Sequence, residues 1–429
     1  MRLKIESILS VKEANVRLDG LSVIAGVNDS GKSTIGKSVF CIVKSIAMAK
    51  SGYFYRKRSE FINIKLNDLK NLVKYMGKDK QSYDRLANKI NILEKEIGKL
   101  KLGKDNDKYL TLIKESKNFF LNELKGNNTI VESVFNELTN VIDKSFKSKF
   151  KRDVMNNILN FMFDKDYLKH DEQNGNVSLE DSIVGKKNEA FINQKGVYKI
   201  VENGKMFFDV TFIDTPVILQ IYSILKDPEV NAKEYSPTIK DIVRKLLSEP
   251  RESIWNRDFA NLLTSKITNI INLNIKTEDG EIVAYKKNDK LPIRLENLAT
   301  GIKSFVLLLL LIEKGYIAKN TLLVLDEPEV HLHPKWQLEY ARIIVKLVKN
   351  GIKVLVATHS PYMIEMLEVL SKKERIESNF YLPKRVDSGV IFEELETGKL
   401  CPIYTLLSEP YEVIENEARS FREAMELEG

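Results

Sequence analysis

A chain of 429 residues with 43% apolar and 30% charged side chains can bury two or three cores at roughly 100–200 residues each, which excludes wholesale disorder and a collagen-like rod. Two cysteines, Cys41 and Cys401, exclude a disulfide framework and fit a reducing compartment. The longest apolar run, Phe305 to Ile312, falls short of the ~18 residues of a spanning helix, so a cytoplasmic chain with no membrane contact is expected. The formal charge of +7 is unevenly spread: residues 51–160 hold 23 basic and 14 acidic side chains, against 44 and 46 elsewhere. Such a segment suits a phosphate-rich partner, since neutralised phosphates release counterions; a solvated lysine-rich helical face gives the same count.

In chain order, residues 1–25 alternate apolar and polar positions and end in the apolar Leu21, Val23 and Ile24, which predicts strands leading into a buried strand. After a glycine-rich turn, 34–50 reads as a helix. Residues 53–163 are helical in pattern, and Leu86, Ile90, Leu93, Ile97 and Leu100 form a seam spaced 4, 3, 4, 3. A turn over Gly103 to Asp107 and a helix from Tyr109 to Leu124 then predict a short antiparallel hairpin. Short β runs follow at Val197–Val201 and Phe207–Phe212, a helical stretch over 217–270, and a hairpin over 271–294 turning at Glu278, Asp279 and Gly280. The last third has a strong α/β rhythm: helix 302–314, strand 321–325, helix 334–349, strand 353–357 and helix 361–371. An edge hairpin over 378–397 and a helix over 409–428 close the chain. Four regions result: 1–52, a basic helical insertion over 53–177, a mixed region over 178–290, and 291–429.

Gly26 to Ser33, GVNDSGKS, match GxxxxGKS between a predicted buried strand and a helix, where the phosphate loop belongs. Its glycines let backbone N–H groups and the positive end of the helix face a β-phosphate. Lys32 adds charge there, and Ser33 offers a hydroxyl to Mg2+. Asp326 and Glu327 end the apolar run Leu322–Leu325, at the edge where open parallel sheets bind ligands. Asp326 suits a Mg2+ ligand and Glu327 a general base toward water; adjacent strand residues point opposite ways, so the two need not share a task. His359 ends the next buried run and can donate toward a γ-phosphate. His331 and His333, two residues apart without a clear third ligand, are weak grounds for a metal site.

The order GVNDSGKS, LATGIKS (Leu298–Ser304), LLVLDEPEVHLHP (Leu322–Pro334), VATHSP (Val356–Pro361) resembles an ATP-binding-cassette ATPase head. More narrowly, it is similar to the soluble branch with the structural-maintenance-of-chromosomes, double-strand-break-repair and overcoming-lysogenisation-defect ATPases. The similarity covers residues 1–50 and 290–375. It implies an α/β class: an ABC-type P-loop ATPase head with a mostly helical insertion carrying a short coiled-coil-like hairpin. By position, Gly26, Asn28, Ser30, Gly31, Lys32, Ser33 and Thr34 would hold ATP, Ser33 and Asp326 the Mg2+, Glu327 the base and His359 the switch. The resemblance also implies a homodimer, with a higher oligomer open, in which Ala299, Thr300 and Gly301 complete the partner's ATP site. This signature departs from the family's LSGGQ pattern at Ala299, Thr300 and Ile302 while keeping Gly301. The family's metal-contacting glutamine has two candidates, Gln194 and Gln220, neither placed by spacing.

About 265 residues separate cradle and signature, and some two and a half heptads fit a compact lobe better than a long arm. Within it, Lys144 to Arg152 hold five basic residues and two phenylalanines, a mixture that can grip a sugar-phosphate backbone or form a snorkelling helix with its phenylalanines inside. Arg56, Lys57 and Arg58 make a second basic cluster. The resemblance implies a nucleic-acid-linked task such as DNA repair or defence against phage. The segment after 372 has no DxD-type cluster, so any cutting falls to a separate effector, a nuclease or toxin. The alternative is a slow nucleotide-gated scaffold or sensor that holds an effector; a transporter motor fits less well, given the insertion and His333.

Overall fold

The computed structural model of the chain describes residues 1–429 except 51, 77–78, 101–103, 125–128, 143, 169–171, 182, 205, 208, 226–233, 252–256, 279–280, 288, 290 and 428–429. It divides into one unit of Met1–Lys44 with Met155–Gly429 and another of Ser45–Val154. The elements run β1 (Arg2–Ile8), β2 (Val11–Arg17), β3 (Leu21–Ala25), α1 (Lys32–Lys50), α2 (Gly52–Met76), α3 (Lys80–Lys99), α4 (Asn106–Glu123), α5 (Thr129–Asn140) and α6 (Lys144–Met162). Next come β4 (Asn174–Asp181), β5 (Lys186–Asn193), β6 (Gly196–Asn203), β7 (Asp209–Ile213), α7 (Tyr222–Leu225), α8 (Pro237–Leu247) and α9 (Arg257–Ile271). The chain ends with β8 (Leu273–Glu278), β9 (Glu281–Lys286), β10 (Ile293–Arg294), α10 (Thr300–Glu313), β11 (Thr321–Asp326), α11 (Pro334–Lys349), β12 (Lys353–Thr358), α12 (Pro361–Glu374), β13 (Ser378–Val386), β14 (Gly389–Leu395) and α13 (Cys401–Leu427).

An 11-stranded sheet in the order β6-β5-β4-β1-β2-β14-β13-β3-β12-β11-β7 spans the larger unit. From β13 to β7 neighbouring strands are parallel, whereas β6 to β2 form an antiparallel half. The hairpin expected at an edge is therefore corrected: β13 and β14 sit inside the sheet, β13 parallel to β3 and β14 parallel to β2, and join the two halves. An alternating, half-polar hairpin reads the same at an edge or inside a sheet, because the pattern reports faces and not neighbours. Of the hairpin expected at Glu278, Asp279 and Gly280, β8 and β9 pair as read, while Asp279 and Gly280 lie outside the described residues.

Strands β3, β7 and β11 are buried along their whole length, which is why they read as unbroken apolar runs: helices cover both faces. Leu323 and Leu325 join Val354, Val356 and helices α10 to α12 in one core. On the other face Val324 and Phe212 lie against Gly36 of α1, where a Cβ would come within 2.9 Å of the Phe212 ring. Residues 305–312 of α10 are all buried, so this run is a core helix. Among the described residues no helix is long and apolar enough to cross a membrane.

In the Ser45–Val154 unit the heptad seam is buried at Leu86, Ile90, Leu93 and Ile97, each worth about 1.5–3 kcal/mol when fully enclosed. The α3–α4 pair is joined by two further helices. Ile62, Leu66 and Leu69 of α2 and Val134, Phe135 and Leu138 of α5 complete one core, and the Tyr109 hydroxyl donates to the Leu138 carbonyl at 2.8 Å. Four helices thus share what a seam on one helix announces only in part.

Candidate functional site

Register decides what meets at the sheet's edge. Ala25 pairs with Thr358, Ala357 with Asp326, and Leu325 with Ile213. Four parallel strands therefore end side by side, and the glycine loop, His359, the Asp326–Glu327 pair and Asp214 all emerge there.

The loop is shaped by its glycines. Gly31 has φ +81, and at Gly26 a Cβ would lie 2.6 Å from Pro383, so any side chain would displace β13. Ser30 Oγ and Lys32 Nζ both donate to the Val27 carbonyl, at 2.7 and 2.6 Å. Burial holds the Lys32 ammonium below its ordinary pKa, against the opposing pull of Glu327, Asp326 and Glu329. A cavity of about 420 Å3 follows the loop, lined among others by Asn28, Gly31, Lys32, Ser33, Thr34 and Glu327. A second of about 470 Å3 shares Leu9, Ser10 and Asp29 with it and extends to Arg385 and Asp387 at the β13–β14 turn.

Asp326 has the parity of Val324, so it faces α1, and Ser33 Oγ donates to its Oδ1 at 3.1 Å. Burial pushes the Asp326 carboxyl up to about 6; the Ser33 hydrogen bond opposes this, while Glu327 and Asp214 add to it. The Ser33 hydroxyl and the buried Asp326 carboxyl, in a surplus of negative charge, fit a hard divalent cation such as Mg2+.

Strand alternation does not govern the second carboxylate. Glu327 leaves β11 with φ +50, a left-handed conformation costly for a glutamate and found where structure enforces it. Its N–H donates to Ala357 O at 2.8 Å. Its carboxylate consequently lies 3.9 Å from Lys32 Nζ and 3.5 Å from His359 Nδ1, on the cradle side.

Two residues at this edge escaped the motif reading. Glu329 is buried, and its Oε1 accepts from Thr358 Oγ1 at 2.7 Å and from the His359 N–H at 2.8 Å, with His359 Nδ1 at 3.3 Å. It pins the histidine loop to the turn after β11. The second glutamate of DEPE was the available signal. Asp214 follows β7 and accepts from Thr238 Oγ1 at 2.9 Å; burial, the strongest influence, raises its carboxyl. Strand, then Asp-Thr-Pro, was its only trace. Gln220 closes the short 3-10 turn after Asp214, whereas Gln194 lies between β5 and β6 in the antiparallel half.

Of the two paired histidines, His333 has structural work. His333 Nδ1 caps α11 by accepting from Lys335 N at 3.3 Å, and His331 sits at φ +66. Among the described residues no group of three His, Cys, Asp or Glu side chains could hold a metal ion.

The signature segment starts α10. Ala299 is the N-cap and makes no side-chain capping bond, and at Gly301 a Cβ would come within 2.9 Å of His331 O. Residues 299–301 are not among those lining the cradle cavity.

In the inserted unit, Phe146 and Phe150 of the basic cluster stack on Phe54 at 6.2 and 5.0 Å, and Phe146 on Phe61 at 5.4 Å. Arg58 is buried over Phe54 and Tyr55. The phenylalanines are engaged in packing, and Lys149 is the exposed cation among the described residues of the segment.

Comparison with known proteins adds three findings. The family model described as AAA ATPase domain matches residues 1–364. The Septu protein PtuA of Bacillus thuringiensis is 28% identical over 104 residues, 21% of this chain and 26% of that protein, so the shared stretch spans about a quarter of the relative. By shape the chain is similar to an SMC head bound to the C-winged helix domain of ScpA (TM-score 0.45, 13% identity, 94% and 98% of the two chains covered) and to the SMC head domain from Thermotoga maritima (TM-score 0.41, 12% identity, 92% and 98%).

Proposed function

The chain belongs to the AAA ATPase domain family and is an ATPase, and from that premise we propose that two copies close on ATP, each completing the other's site with residues 299–301. The carrying observation is the division of labour in one chain. The phosphate loop and Glu327 line one cavity, with Asp326 bonded to Ser33 and His359 Nδ1 3.5 Å from Glu327, while residues 299–301 make no contact with either carboxylate or with His359 among the hydrogen bonds and ion pairs of the described residues. ATP is held by Gly26, Asn28, Ser30, Gly31, Lys32, Ser33 and Thr34, and its nucleoside lies in the adjoining cavity toward Arg385.

Ser33 and Asp326 would hold Mg2+, which would supply charge neutralisation on the phosphates. Glu327 accepts the proton of the attacking water, a role worth typically ~10²–10⁴-fold. Its left-handed backbone aims it there, and His359, tied down by Glu329, stands 3.5 Å away to orient the γ-phosphate side. Head closure would then gate a partner or effector protein in a nucleic-acid-linked task, with defence against phage supported by the motif resemblance and by the stretch shared with the Septu protein PtuA. A second reading, slow turnover in a nucleotide-gated scaffold, is favoured by the altered signature and by the aromatic packing that occupies Phe146 and Phe150.

Glu327→Gln tests the sandwich. The variant should bind ATP, lose turnover by at least ~10²-fold and run as a dimer on size exclusion with ATP. A monomer under those conditions sinks the proposal. Stimulation of wild-type turnover by duplex DNA separates the nucleic-acid task from the slow scaffold.

A further inference from the structure

Helices α11 and α12 begin at the cradle, at Pro334 and Pro361, and finish at the far end of the sheet. There, with α9, they enclose a groove of about 350 Å3 whose lining includes Phe259, Leu262, Lys266, Arg342, Lys346 and Lys373. Arg342 pairs with Glu339 at 3.3 Å, and Lys349 with Glu374. Lys266, Lys346 and Lys373 form no ion pair among the described residues. Burial, and next the nearby Lys346 ammonium, press Lys266 toward its neutral form. Two cations held face to face mark a place where an anion would relieve repulsion.

The floor distinguishes between anions. Leu262 is 55% exposed and Phe259 half-buried beneath it, an apolar strip of no use to a sugar-phosphate backbone but suited to an amphipathic acidic helix. This chain carries such a helix. From Glu409 to the C-terminus there are seven glutamates and two arginines. Ile403 and Tyr404 anchor the start of α13, Tyr404 through its hydroxyl on Glu368 at 3.2 Å, whereas every residue from Val413 to Ser420 is exposed, Val413 at 60% and Ile414 at 61%.

We propose that the acidic C-terminal segment of a second copy docks in this groove, with Val413 and Ile414 on the Phe259–Leu262 floor and Glu415 and Glu417 among Lys266, Lys346 and Lys373. The groove and the tail are different surfaces, so the contact is head to tail and propagates from copy to copy as a ring or a filament. It lies at the opposite end of the parallel strands from the phosphate loop, so it forms without nucleotide.

Light scattering after size exclusion of the full chain, without nucleotide, tests this. Wild type should exceed the mass of one chain at low salt and fall toward it at high salt. Lys266→Glu with Lys346→Glu, or Glu415→Lys with Glu417→Lys, should each reduce the mass at low salt to one chain, with circular dichroism unchanged. Mixed together, the two variants should assemble beyond one chain again, because each tail then meets a groove of opposite charge. All four substitutions in one chain should restore assembly. A stop after Ser408 reads the same loss without touching the groove, should the groove variant fail to fold. A wild type of one-chain mass at every concentration overturns the proposal, as does unchanged assembly in the tail variants. Groove variants that lose binding of a short DNA duplex while tail variants keep their mass also overturn it, in favour of nucleic acid.

Discussion

The parallel strands bury charge at both ends, and the two ends treat it differently. At the start of β7, Asp209 and, from α8, Asp241 meet Lys44 at 2.7 and 2.5 Å, and Lys245 lies 2.7 Å from Asp241 and donates to Val210 O at 2.6 Å. Burial pushes both carboxyls up, but Lys245 and Lys44 overcome it and hold them below the ordinary carboxylate range. At the other end Asp326 is pushed up to about 6 and Glu327 is in a left-handed conformation. Compensated charge ties α1, β7 and α8 together; uncompensated charge waits for a ligand. The same residue types thus support structure at one edge and chemistry at the other, and electrostatic balance distinguishes them.

Removing compensation should break the first end most severely. Lys245→Ala takes one of the two buried ammoniums from the Asp209–Asp241 pair and should cost about 3–5 kcal/mol of stability, read by urea unfolding; a loss under about 1 kcal/mol would mean water reaches the cluster. At the second end, Lys32→Ala should leave stability nearly unchanged but weaken ATP binding by about 1.5–3 kcal/mol, roughly 10- to 150-fold, as for hydrogen bonds to ionised groups. Calorimetric titration checks it. Asp326→Asn should stabilise the nucleotide-free protein by roughly 1–3 kcal/mol near pH 8 by removing a carboxylate that folding disfavours. Equal or lower melting temperature would show that Asp326 is already neutralised.

Acid gives the smallest and sharpest contrast. A raised carboxyl costs stability above its folded pKa, so nucleotide-free wild type should gain stability as pH falls from about 7 to about 4, a gain missing in Asp326→Asn. Lowered carboxyls contribute stability above their unfolded pKa and lose it as pH falls toward the folded one. Below about pH 4 the Asp209–Asp241 cluster should therefore dominate and stability should drop in both proteins. Parallel profiles for wild type and Asp326→Asn from pH 8 to pH 5 would erase the distinction between the ends.

The amino-acid order alone determined whatever is local. A glycine loop between a buried run and a helix, two carboxylates ending an apolar strand and Pro334–Lys349 as a capped helix need only neighbours within a turn or two. Strands β4 and β5 were harder to see, since NGNVSLED and KKNEAFIN carry few apolar residues and earn their place by pairing with β1. Tertiary structure decided the rest. It set β13 and β14 in the middle of the sheet, joined α2 and α5 to the seam of α3, turned Glu327 back toward Lys32, brought Glu329 under His359, and packed Phe146 and Phe150 inward. Periodicity records which face of an element is buried, while strand order and cross-chain charge balance depend on residues hundreds of positions apart, about which a local pattern carries no information.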